Sequence, residues 1–566
     1  MNNVFCGLKL THDGCVAVIE EDKLRFSVEA EKMENRPRYS PLNRWSDLIA
    51  ILGGQGLSPD ELTAVSVDGW GRRNGVSQVF VIDDAGDQRL VEVADYLDEP
   101  GSAEDPLDRP ADTAKLFSDQ PVKYRSFSHA TDHALSSYCT SPFAARGASS
   151  LVVVWDGGMP PCLYHYNPGT RSLRPLEQLF DVVGGLYPVF ASHLRPFRTG
   201  PDALDTDIRT FSNLLLPVSG KAMAYAALGE PDDHAMSVMS SAGQRNQPTD
   251  VVRMYQWSRS VLRELAPRNL SDATLMASFQ EYLGDLFVGS LLRFLADHEE
   301  FRDTPLCLSG GCALNIKWNA KVRASGLFSG VWVPPFPNDA GSAVGAACAE
   351  MIRQTGRSAL QWSVFAGPEI IPAQTLPPGW RARPCSLDGV AEILAVENEP
   401  VVVVTGRAEI GPRALGHRSI IAPATRADMQ DKLNEMKGRE SYRPVAPICP
   451  EESAPSVFSP GSPDPYMLFE HQVRPEWRTR VPAIVHVDGS ARLQTVSQAN
   501  PVMYELLTAY RKRTGVPVLC NTSANFSGSG FFPDVDSVFR WGRIRYVWSA
   551  GTLFRADVAK AGQHDG

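Results

Sequence analysis

Short apolar runs separated by polar turns open the chain and predict a small antiparallel sheet. The runs span residues 4–10, 15–20 and 23–28, and only Glu21 and Asp22 separate the last two. Apolar runs of this length joined by tight polar turns are typical of consecutive β-strands. We therefore predict that the chain begins with a β-meander.

Two later apolar runs each end in a glycine loop. Residues 151–155 lead into Asp156-Gly157-Gly158, and residues 305–309 lead into Gly310-Gly311. Such loops place backbone N–H groups and a carboxylate at a strand end, which is the usual binding edge of an α/β sheet. Between and after these runs, residues 273–297 and 341–351 have the apolar spacing of helices. The pattern predicts an α/β fold.

A change of pattern after residue 355 predicts a second domain. Residues 355–384 lose periodicity and accumulate proline and glycine, and a new helix and strand are predicted at 387–395 and 401–405. A chain of 566 residues also exceeds one ordinary core. We place the boundary near residue 365, giving domains of residues 1–364 and 365–566. Residues 97–113, rich in Asp, Glu, Pro and Gly, predict an exposed loop.

Composition narrows the class of protein. No run approaches twenty apolar residues, and the N-terminus lacks the features of a signal peptide, so we expect a cytoplasmic protein without a membrane partner. The ten cysteines include no CxxC pair, which favours reduced thiols over a zinc knuckle. A net charge of −10 disfavours nucleic acid as a partner. Small-molecule chemistry is the favoured interpretation.

Arginine and glycine are concentrated in residues 406–419, directly after the apolar run 401–404. Guanidinium groups match the oxygens of phosphate and carboxylate, and glycine lets backbone N–H groups approach an anion closely. The basic and polar residues that follow are Lys437, Arg439, Arg443, Arg492, Asn521, Thr522 and Ser523. The C-terminal third therefore predicts a site for a nucleotide or an acyl phosphate.

A histidine pair offers metal-binding chemistry. His129 and His133 are four residues apart, so on a helix they share one face. Two imidazoles and one carboxylate bind iron(II) and related ions, and Asp339 is a candidate third ligand because it precedes a glycine-rich helix start. An HxxxH pair alone is more often a surface or capping pair. Spacing leaves both interpretations open.

Nine short motifs, in this order, resemble the O-carbamoyltransferase family of natural-product biosynthesis, often called the NodU/CmcH type. The motifs lie at residues 10–13, 129–133, 154–158, 309–315, 334–339, 411–416, 442–447, 492–496 and 520–523. They cover most of the chain. Single motifs are weak, but nine in one order are specific.

The resemblance implies a fold and a reaction. An N-terminal ASKHA-type domain, of the actin, sugar-kinase and Hsp70 superfamily, would precede a YrdC-like α/β domain. In the family, the YrdC-like domain makes carbamoyl-adenylate from carbamoyl phosphate and ATP, releasing phosphate and pyrophosphate. The ASKHA-type domain passes the carbamoyl group to a hydroxyl group beside a metal, reported as iron. We therefore expect ATP as co-substrate and iron(II) at the transfer site, with magnesium as a candidate companion of ATP.

Carried over residue by residue, the resemblance assigns His129, His133 and Asp339 to the metal, with the catalytic Asp156 nearby. It makes His12 the general base for the acceptor hydroxyl, since an imidazole near neutral pKa can remove a proton. The residues implied to bind carbamoyl phosphate and nucleotide are Arg413, Lys437, Arg443, Arg492, Asn521, Ser523, Gly310, Gly311 and Asn315. The alternatives are a His12 held by the following Asp-Gly turn, plain turns at the glycines, and a solvated surface position for Lys437 and Arg439.

Two other functions stay open at this point. Transfer to a macromolecule, as in tRNA modification or hydrogenase maturation, would call for a more basic surface or additional zinc-knuckle and acylphosphatase segments. A catalytically silent nucleotide-binding regulatory module would need only one of the two sites. After Ser523 the chain departs from the Gly-Glu-Pro turn of many relatives. Residues 31–39 lie near the acceptor in the family, but sequence names neither the acceptor alcohol nor the oligomeric state.

Overall fold

Apolar strands near the N-terminus align into a mixed six-stranded sheet with the order β3-β2-β1-β4-β8-β7. The computed structural model describes residues 3–71, 77–198, 214–245, 248 and 250–557. Its first strands are β1 (Val4–Lys9), β2 (Cys15–Glu20), β3 (Lys23–Glu29), β4 (Ala64–Asp68), β5 (Gln78–Ile82), β6 (Gln88–Glu92), β7 (Asp112–Ala114) and β8 (Val122–Phe127). Strands β1, β2 and β3 pair antiparallel, which confirms the predicted meander. Strands β5 and β6 form a separate hairpin.

A second sheet of five strands has the order β11-β10-β9-β12-β13. Its strands are β9 (Ser150–Val154), β10 (Cys162–Asn167), β11 (Ser172–Gln178), β12 (Leu306–Ser309) and β13 (Val331–Trp332). Strands β9 and β12 are parallel neighbours, so the loops that follow them emerge at the same sheet edge. The two predicted strand–glycine-loop units are thereby brought side by side.

Two buried helices lie between these sheets. The helices of the N-terminal two thirds are α1 (Trp45–Gly54), α2 (His129–Cys139), α3 (Pro142–Ala145), α4 (Leu186–Ala191), α5 (Val218–Ala226), α6 (Asp233–Arg245), α7 (Val251–Leu265), α8 (Asp272–Asp297), α9 (Ile316–Ala324) and α10 (Ser342–Thr355). Helix α2 is buried along its whole length and packs against α10, which also packs on β1. Helix α8 confirms the helix predicted at 273–297.

Glycines allow α10 to approach its neighbours closely. A Cβ atom at Gly7 of β1 would lie 1.9 Å from the Ala343 carbonyl oxygen, and one at Gly345 would lie 1.8 Å from the Asp132 carbonyl oxygen. Both distances are far below any real contact. Glycine at these positions therefore fixes how near α10 comes to β1 and α2.

A mixed sheet of eight strands forms the C-terminal part, in the order β14-β24-β23-β15-β16-β22-β17-β21, beside a three-stranded sheet β18-β19-β20. The strands are β14 (Trp380–Pro384), β15 (Val401–Val404), β16 (Arg418–Pro423), β17 (Ala446–Pro450), β18 (Phe458–Ser459), β19 (His471–Val473), β20 (Ser490–Ala491), β21 (Gln494–Val496), β22 (Leu519–Ser523), β23 (Tyr546–Ser549) and β24 (Thr552–Ala556). The helices are α11 (Leu387–Glu392), α12 (Met429–Lys437), α13 (Ala454–Val457), α14 (Pro475–Arg478), α15 (Pro501–Thr514) and α16 (Val535–Trp541).

These sheets and helices confirm a mixed α/β fold. All ten cysteines are free, and all but Cys312 are buried. The predicted loop at 97–113 is largely exposed, although Asp98 and Leu107 are buried and its end enters β7. Among the described residues, no helix is both long enough and apolar enough to cross a bilayer.

Candidate functional site

The predicted histidine pair and Asp339 meet in the buried space between the sheets. Ser128 caps helix α2, accepting a hydrogen bond from the Thr131 N–H, and the next turn places His129 Nε2 and His133 Nε2 3.0 Å apart. Asp339, at the short turn before α10, has its Oδ1 3.5 Å from His129 Nε2 and 3.6 Å from His133 Nε2. The structure therefore brings these three residues together.

The three side chains fit a divalent metal ion. Metal–ligand bonds of about 2.1 Å place neighbouring ligand atoms about 3.0–3.4 Å apart, close to the separations found here. His129 Nδ1 lies 2.8 Å from Asp68 Oδ1, a contact that fixes the ring and leaves Nε2 for a metal. Asp156 belongs to the same group, whose candidate ligand atoms all lie within 4.8 Å of one another.

The electrostatics of this cluster favour a cation. Burial opposes the charged form of His129, but Asp68 and Asp339 outweigh burial and raise its pKa to about 9. Burial alone would raise the pKa of Asp339, whereas Lys9 and His129 lower it well below its usual value. Asp339 is thus an ionised carboxylate, as a metal ligand must be.

Lys9 balances the buried carboxylates. Its Nζ lies 2.9 Å from Asp68 Oδ2 and 3.2 Å from Asp339 Oδ2, and 3.6 Å from the centre of the Trp70 ring. The ammonium group therefore contacts the oxygens that face away from the two histidines. Lys9 offsets part of the negative charge without occupying the space between His129, His133 and Asp339 Oδ1.

His129, His133 and Asp339 together form a group of candidate metal ligands, the metal cluster. His12 lies at its accessible side. Its Nδ1 is 3.5 Å from Asp339 Oδ2 and 3.5 Å from Asp13 Oδ2, and its side chain is 33% exposed. Burial would lower its pKa, but the nearby carboxylates of Asp339 and Asp13 raise it. The imidazole is therefore partly exposed beside the cluster. Its role as general base stays a prediction.

Asp156 is fixed by two donors from different elements. Its Oδ1 accepts a hydrogen bond of 2.6 Å from the Gly311 N–H, and its Oδ2 accepts one of 2.7 Å from the Tyr96 hydroxyl. Tyr96 also stacks on His129, with ring centroids 4.5 Å apart. At Gly310, φ is +83° and a Cβ would lie 2.3 Å from the Trp155 carbonyl oxygen, so the turn requires glycine.

Asn315 caps helix α9. Its Oδ1 accepts hydrogen bonds from the N–H groups of Lys317 and Trp318, and its Nδ2 donates to Gln280 Oε1 at 3.1 Å. The side chain is therefore engaged within the protein. Its predicted contact with nucleotide is untested.

Five cations form a cluster at the end of β22. The cation cluster consists of Arg413, Lys437, Arg439, Arg443 and Arg492. Burial and the neighbouring guanidinium groups lower the pKa of Arg413 to about 10 and that of Arg439 to about 9. Among the described residues, the only carboxylate within 4.0 Å of any member is Glu440, at 3.9 Å from Arg443. Five positive charges with a single carboxylate at this distance favour anion binding.

Side chains from the N-terminal sheet hold the turn that carries Arg413. Gly411, with φ +85°, donates its N–H to Glu29 Oε1 at 2.7 Å. The buried Lys32 Nζ donates to the carbonyl oxygens of Glu409 and Gly411, at 2.6 Å and 2.8 Å. Lys32 also pairs with Glu29 at 2.6 Å. The first and last thirds of the chain thus build this site jointly.

The other predicted residues of this region support the loops around the cluster. Asn521 Nδ2 donates to the Ala414 carbonyl oxygen at 3.0 Å and to Gln494 Oε1 at 2.7 Å. Lys437 Nζ donates to the carbonyl oxygens of Ser523 and Asn525 and to Asn525 Oδ1, at 2.8, 2.9 and 2.5 Å. All three Lys437 donors are thereby used. Lys437 is buried, so the solvated surface position considered from sequence is wrong.

Family comparison supplies the observation that decides the identity. Residues 4–348 match the family model described as Carbamoyltransferase N-terminus, and residues 391–543 match Carbamoyltransferase C-terminus. The chain belongs to the carbamoyltransferase family. The predicted family membership is confirmed.

Relatives of this carbamoyltransferase extend over nearly its full length. Nodulation protein U of Rhizobium tropici is 41% identical to this chain, and the match covers 99% of this chain and 98% of the nodulation protein. The 3'-hydroxymethylcephem-O-carbamoyltransferase of Amycolatopsis lactamdurans is 34% identical over 92% of each chain. Similar solved structures include the glucokinase of Balamuthia mandrillaris, which is 11% identical and has a TM-score of 0.28. The match covers 62% of this chain and 93% of the glucokinase. Full-length HypF has 10% identity, 63% and 47% coverage and a TM-score of 0.31. Structural likenesses this weak carry no argument.

Sequence patterns did not indicate several residues of the carbamoyltransferase site. Lys9, Asp68, Trp70 and Tyr96 surround the metal cluster, yet none was predicted. Two signals were present: Lys9 follows five apolar or glycine residues in one strand, and Asp68 ends a strand in which every other residue except Ser66 is apolar. A charged residue in such a place is usually paired with an opposite charge.

Proposed function

We propose that this carbamoyltransferase makes carbamoyl-adenylate from carbamoyl phosphate and ATP, and passes the carbamoyl group to a hydroxyl group of a small secondary metabolite. In this proposal residues 365–566 are a YrdC-like domain that forms the adenylate, and residues 1–364 are an ASKHA-type domain that performs the transfer. One observation carries the proposal. A single chain holds both a cluster suited to a metal ion and a cation cluster suited to anions.

The cation cluster supports the first half-reaction. Carbamoyl phosphate and ATP are both anions and repel each other in water. Arg413, Arg443 and Arg492 would offset that repulsion and hold the reacting groups close together. Carbamoyl phosphate and water give carbamate and phosphate. A carbamate oxygen then bonds to the α-phosphorus of ATP. The bond between the α-phosphorus and the oxygen that bridges it to the β-phosphorus breaks, and pyrophosphate leaves.

In the cluster itself, Arg439 would share this work, while Lys437, Asn521 and Ser523 would act mainly by holding the binding loops. Arg439 already donates to Thr522 Oγ1 at 2.9 Å and lies 3.4 Å from Ser523 Oγ. Since the donors of Lys437 and Asn521 are used within the protein, their effect on substrate is through charge and loop position.

The metal cluster supports the second half-reaction. The acceptor oxygen bonds to the carbamoyl carbon, the bond from that carbon to the phosphate oxygen breaks, and AMP leaves. His12 would take the hydroxyl proton on its imidazole, with Asp339 and Asp13 beside it. A divalent metal, proposed as iron(II) and held by His129, His133 and Asp339, would stabilise negative charge on the carbonyl oxygen as a Lewis acid.

The glycine loops would shape the space for the adenylate between these groups. Gly311 already donates its N–H to Asp156, and Asn315 caps α9. Their part in nucleotide binding would therefore be to fix the loop and the Asp156 carboxylate. Gly310 would let the loop pass close to β9, where a side chain has no room.

The test separates the two half-reactions. Adenylate formation is measured as pyrophosphate release from ATP that depends on carbamoyl phosphate, and transfer as the gain of one carbamoyl group by an alcohol in mass spectrometry. We expect His129→Ala to abolish transfer and keep pyrophosphate release. Arg443→Ala should reduce pyrophosphate release at least tenfold.

Each contrary outcome has a defined meaning. Because transfer consumes the adenylate, Arg443→Ala should also lose transfer, so pyrophosphate release is the deciding measurement. Its loss in His129→Ala, or its retention in Arg443→Ala, would refute the assignment of one reaction to each site. Absence of any carbamoyl-phosphate-dependent pyrophosphate release by metal-loaded wild-type protein would refute the adenylate route and favour a regulatory nucleotide-binding module. The exposed His234 provides a control, and His234→Ala should leave both half-reactions unchanged.

A further inference from the structure

The N-terminal third of the chain sends a segment to the cation cluster. Residues 36–38 run beside residues 528–530: Pro37 forms a β-bridge with Ser529, and the Arg38 N–H donates to the Gly528 carbonyl oxygen at 2.9 Å. The Gly530 N–H donates to the Arg36 carbonyl oxygen at 3.2 Å. Main-chain contacts therefore fix the position of Arg38 against the loop after β22.

The side chain of Arg38 joins the hydrogen-bond network of the cluster. Its Nε donates to the Ser529 carbonyl oxygen at 3.3 Å, and the same oxygen accepts from Asn525 Nδ2 at 3.0 Å. Asn525 Oδ1 in turn accepts from Lys437 Nζ at 2.5 Å and from Ser523 Oγ at 2.7 Å. One carbonyl and one amide thus connect Arg38 to Lys437 and Ser523.

Arg38 forms no ion pair within the described part of the chain. No carboxylate oxygen there lies within 4.0 Å of its guanidinium nitrogens, and only Nε donates a hydrogen bond. The terminal nitrogens Nη1 and Nη2 thus keep their donors for a ligand. A guanidinium fork of this kind matches two oxygens of a phosphoryl group.

The neighbouring cations respond to Arg38. Burial lowers the pKa of Arg413, and Arg38 lowers it further. Burial, Arg443 and Arg38 together lower the pKa of Arg439. Like charges gathered without a counter-charge destabilise the protein unless an anion lies between them.

We infer that Arg38 is a substrate-binding residue of the cation cluster, whose terminal nitrogens bind a phosphoryl group. That group belongs to carbamoyl phosphate or to ATP. The choice of these two compounds rests on the proposed function, whereas the anion contact does not. The adenylate-forming site would then be completed by a residue from the N-terminal domain.

The same segment reaches the metal cluster. The Gly14 N–H donates to the Ser40 carbonyl oxygen at 2.9 Å, and the Ala30 N–H donates to the Gly14 carbonyl oxygen at 2.7 Å. Gly14 follows His12 and Asp13, so residues 30–40 contact both the turn beside the metal cluster and the loop beside the cation cluster. Anion binding at Arg38 would therefore act on a segment that both sites share.

Titration calorimetry tests the inference with three ligands, namely inorganic pyrophosphate, carbamoyl phosphate and ATP. Arg38→Gln removes the charge but keeps a donor for the Ser529 carbonyl oxygen, and should weaken pyrophosphate binding at least tenfold. Arg38→Lys keeps a point charge and should weaken it less. Arg44→Ala is the control, because it removes one exposed positive charge six residues after Arg38 and should leave the affinity unchanged. The phosphoryl source is whichever of carbamoyl phosphate and ATP loses affinity in Arg38→Gln.

Unchanged affinity for all three ligands in a folded Arg38→Gln protein would overturn the inference, as would wild-type protein that binds none of them. Wild-type protein that binds pyrophosphate through Arg38 but releases none from ATP would refute the proposed function alone. Thermal unfolding of each variant establishes folding. If Arg38→Gln is unfolded, the decision rests on Arg38→Lys, which must raise the KM of one substrate without an equal loss of kcat.

Discussion

The orientation of His129 depends on a residue far away in the sequence. Helix α2 places the ring beside His133, but the contact of 2.8 Å between Nδ1 and Asp68 Oδ1 sets which nitrogen faces Asp339. Lys9 then pairs with Asp68 at 2.9 Å, so the carboxylate that holds the histidine is itself held. Loss of such outer contacts commonly lowers metal affinity by about 10- to 100-fold.

We predict that bound metal follows these contacts. His133→Ala should abolish stoichiometric metal in purified protein, and Asp68→Asn should lower metal affinity by about 10- to 100-fold, because the ring loses its charged partner. Elemental analysis and metal titration measure both effects. The exposed His234 is the control, since His234→Ala should bind metal like wild type. Full metal content in His133→Ala would contradict the proposed ligand set.

Arg492 should destabilise the protein when no anion is bound. Burial and repulsion from Arg413 and Arg443 lower its pKa well below the usual value, and its Nε has no hydrogen-bond partner. Arg492→Met should therefore raise Tm by a few degrees in phosphate-free buffer and abolish the rise that pyrophosphate causes in wild type. Differential scanning calorimetry with and without pyrophosphate measures both. The exposed Arg302 pairs with Glu299, so Arg302→Met should show neither effect. A lower Tm in anion-free Arg492→Met would contradict this account.

Short motifs made His129, His133 and Asp339 predictable, because an i,i+4 pair and an acid before a helix are local patterns. Lys9 and Asp68 were not predictable in the same way. They meet because β1 and β4 pair in parallel, with Leu8 opposite Val67, and this pairing crosses more than fifty residues of chain. Sequence showed a lysine and an aspartate at strand ends but gave no means of pairing them.

At the scale of elements, the approach of α10 to α2 positions the metal cluster. Asp339 stands just before α10, whereas both histidines lie on α2. Gly345 lets α10 lie against the Asp132 carbonyl of α2, where a Cβ would lie 1.8 Å away. The distance from Asp339 to the histidines is therefore set by helix packing as well as by local geometry.

Gly345→Ala should separate the two helices and weaken the metal cluster. Overpacking of this kind costs about 1–3 kcal/mol, so we expect a lower free energy of unfolding together with reduced metal content. Gly53→Ala is the matched control, because nothing lies within 4 Å of a Cβ there. It should be neutral or slightly stabilising, since alanine favours helix. Denaturant unfolding and metal analysis decide the matter, and full stability of Gly345→Ala would contradict the packing argument.

Elements with strong local patterns were predictable, and their arrangement was not. The opening meander follows from apolar runs joined by a tight polar turn, and the long helix α8 follows from helical spacing. The order of the eight-stranded sheet does not, because β14 pairs with β24 and β15 with β23, partners near opposite ends of the C-terminal third. Periodicity identifies a strand, but long-range packing selects its neighbour.

At the scale of the whole molecule, Lys32 connects the N-terminal third of the chain to the turn before Arg413. The buried ammonium group contacts Glu29 and the carbonyl oxygens of Glu409 and Gly411. The turn before Arg413 therefore depends on a strand of the N-terminal sheet. Formation of the cation cluster and folding of the first sheet should be coupled.

Lys32→Met should expose this coupling. Removing one partner of a buried ion pair leaves the Glu29 charge without a cation and two carbonyl groups without this donor, at a cost of about 3–5 kcal/mol. We expect a lower Tm and weaker pyrophosphate binding, because the turn that carries Arg413 loses its support. The exposed Lys23 is the control, and Lys23→Met should change neither quantity. Wild-type pyrophosphate affinity in Lys32→Met would show that the turn holds its position without this contact.

A group of arginines with almost no acidic neighbours has a consequence for the enzyme at rest in a living cell. Orthophosphate is abundant there, and the cation cluster would bind it. The resting enzyme would then carry a counter-ion that its substrates must displace. Because the proposed reaction itself liberates orthophosphate and pyrophosphate, turnover would slow as these products accumulate. Enzymes that remove pyrophosphate would then relieve this inhibition and raise the rate of carbamoyl transfer to the alcohol.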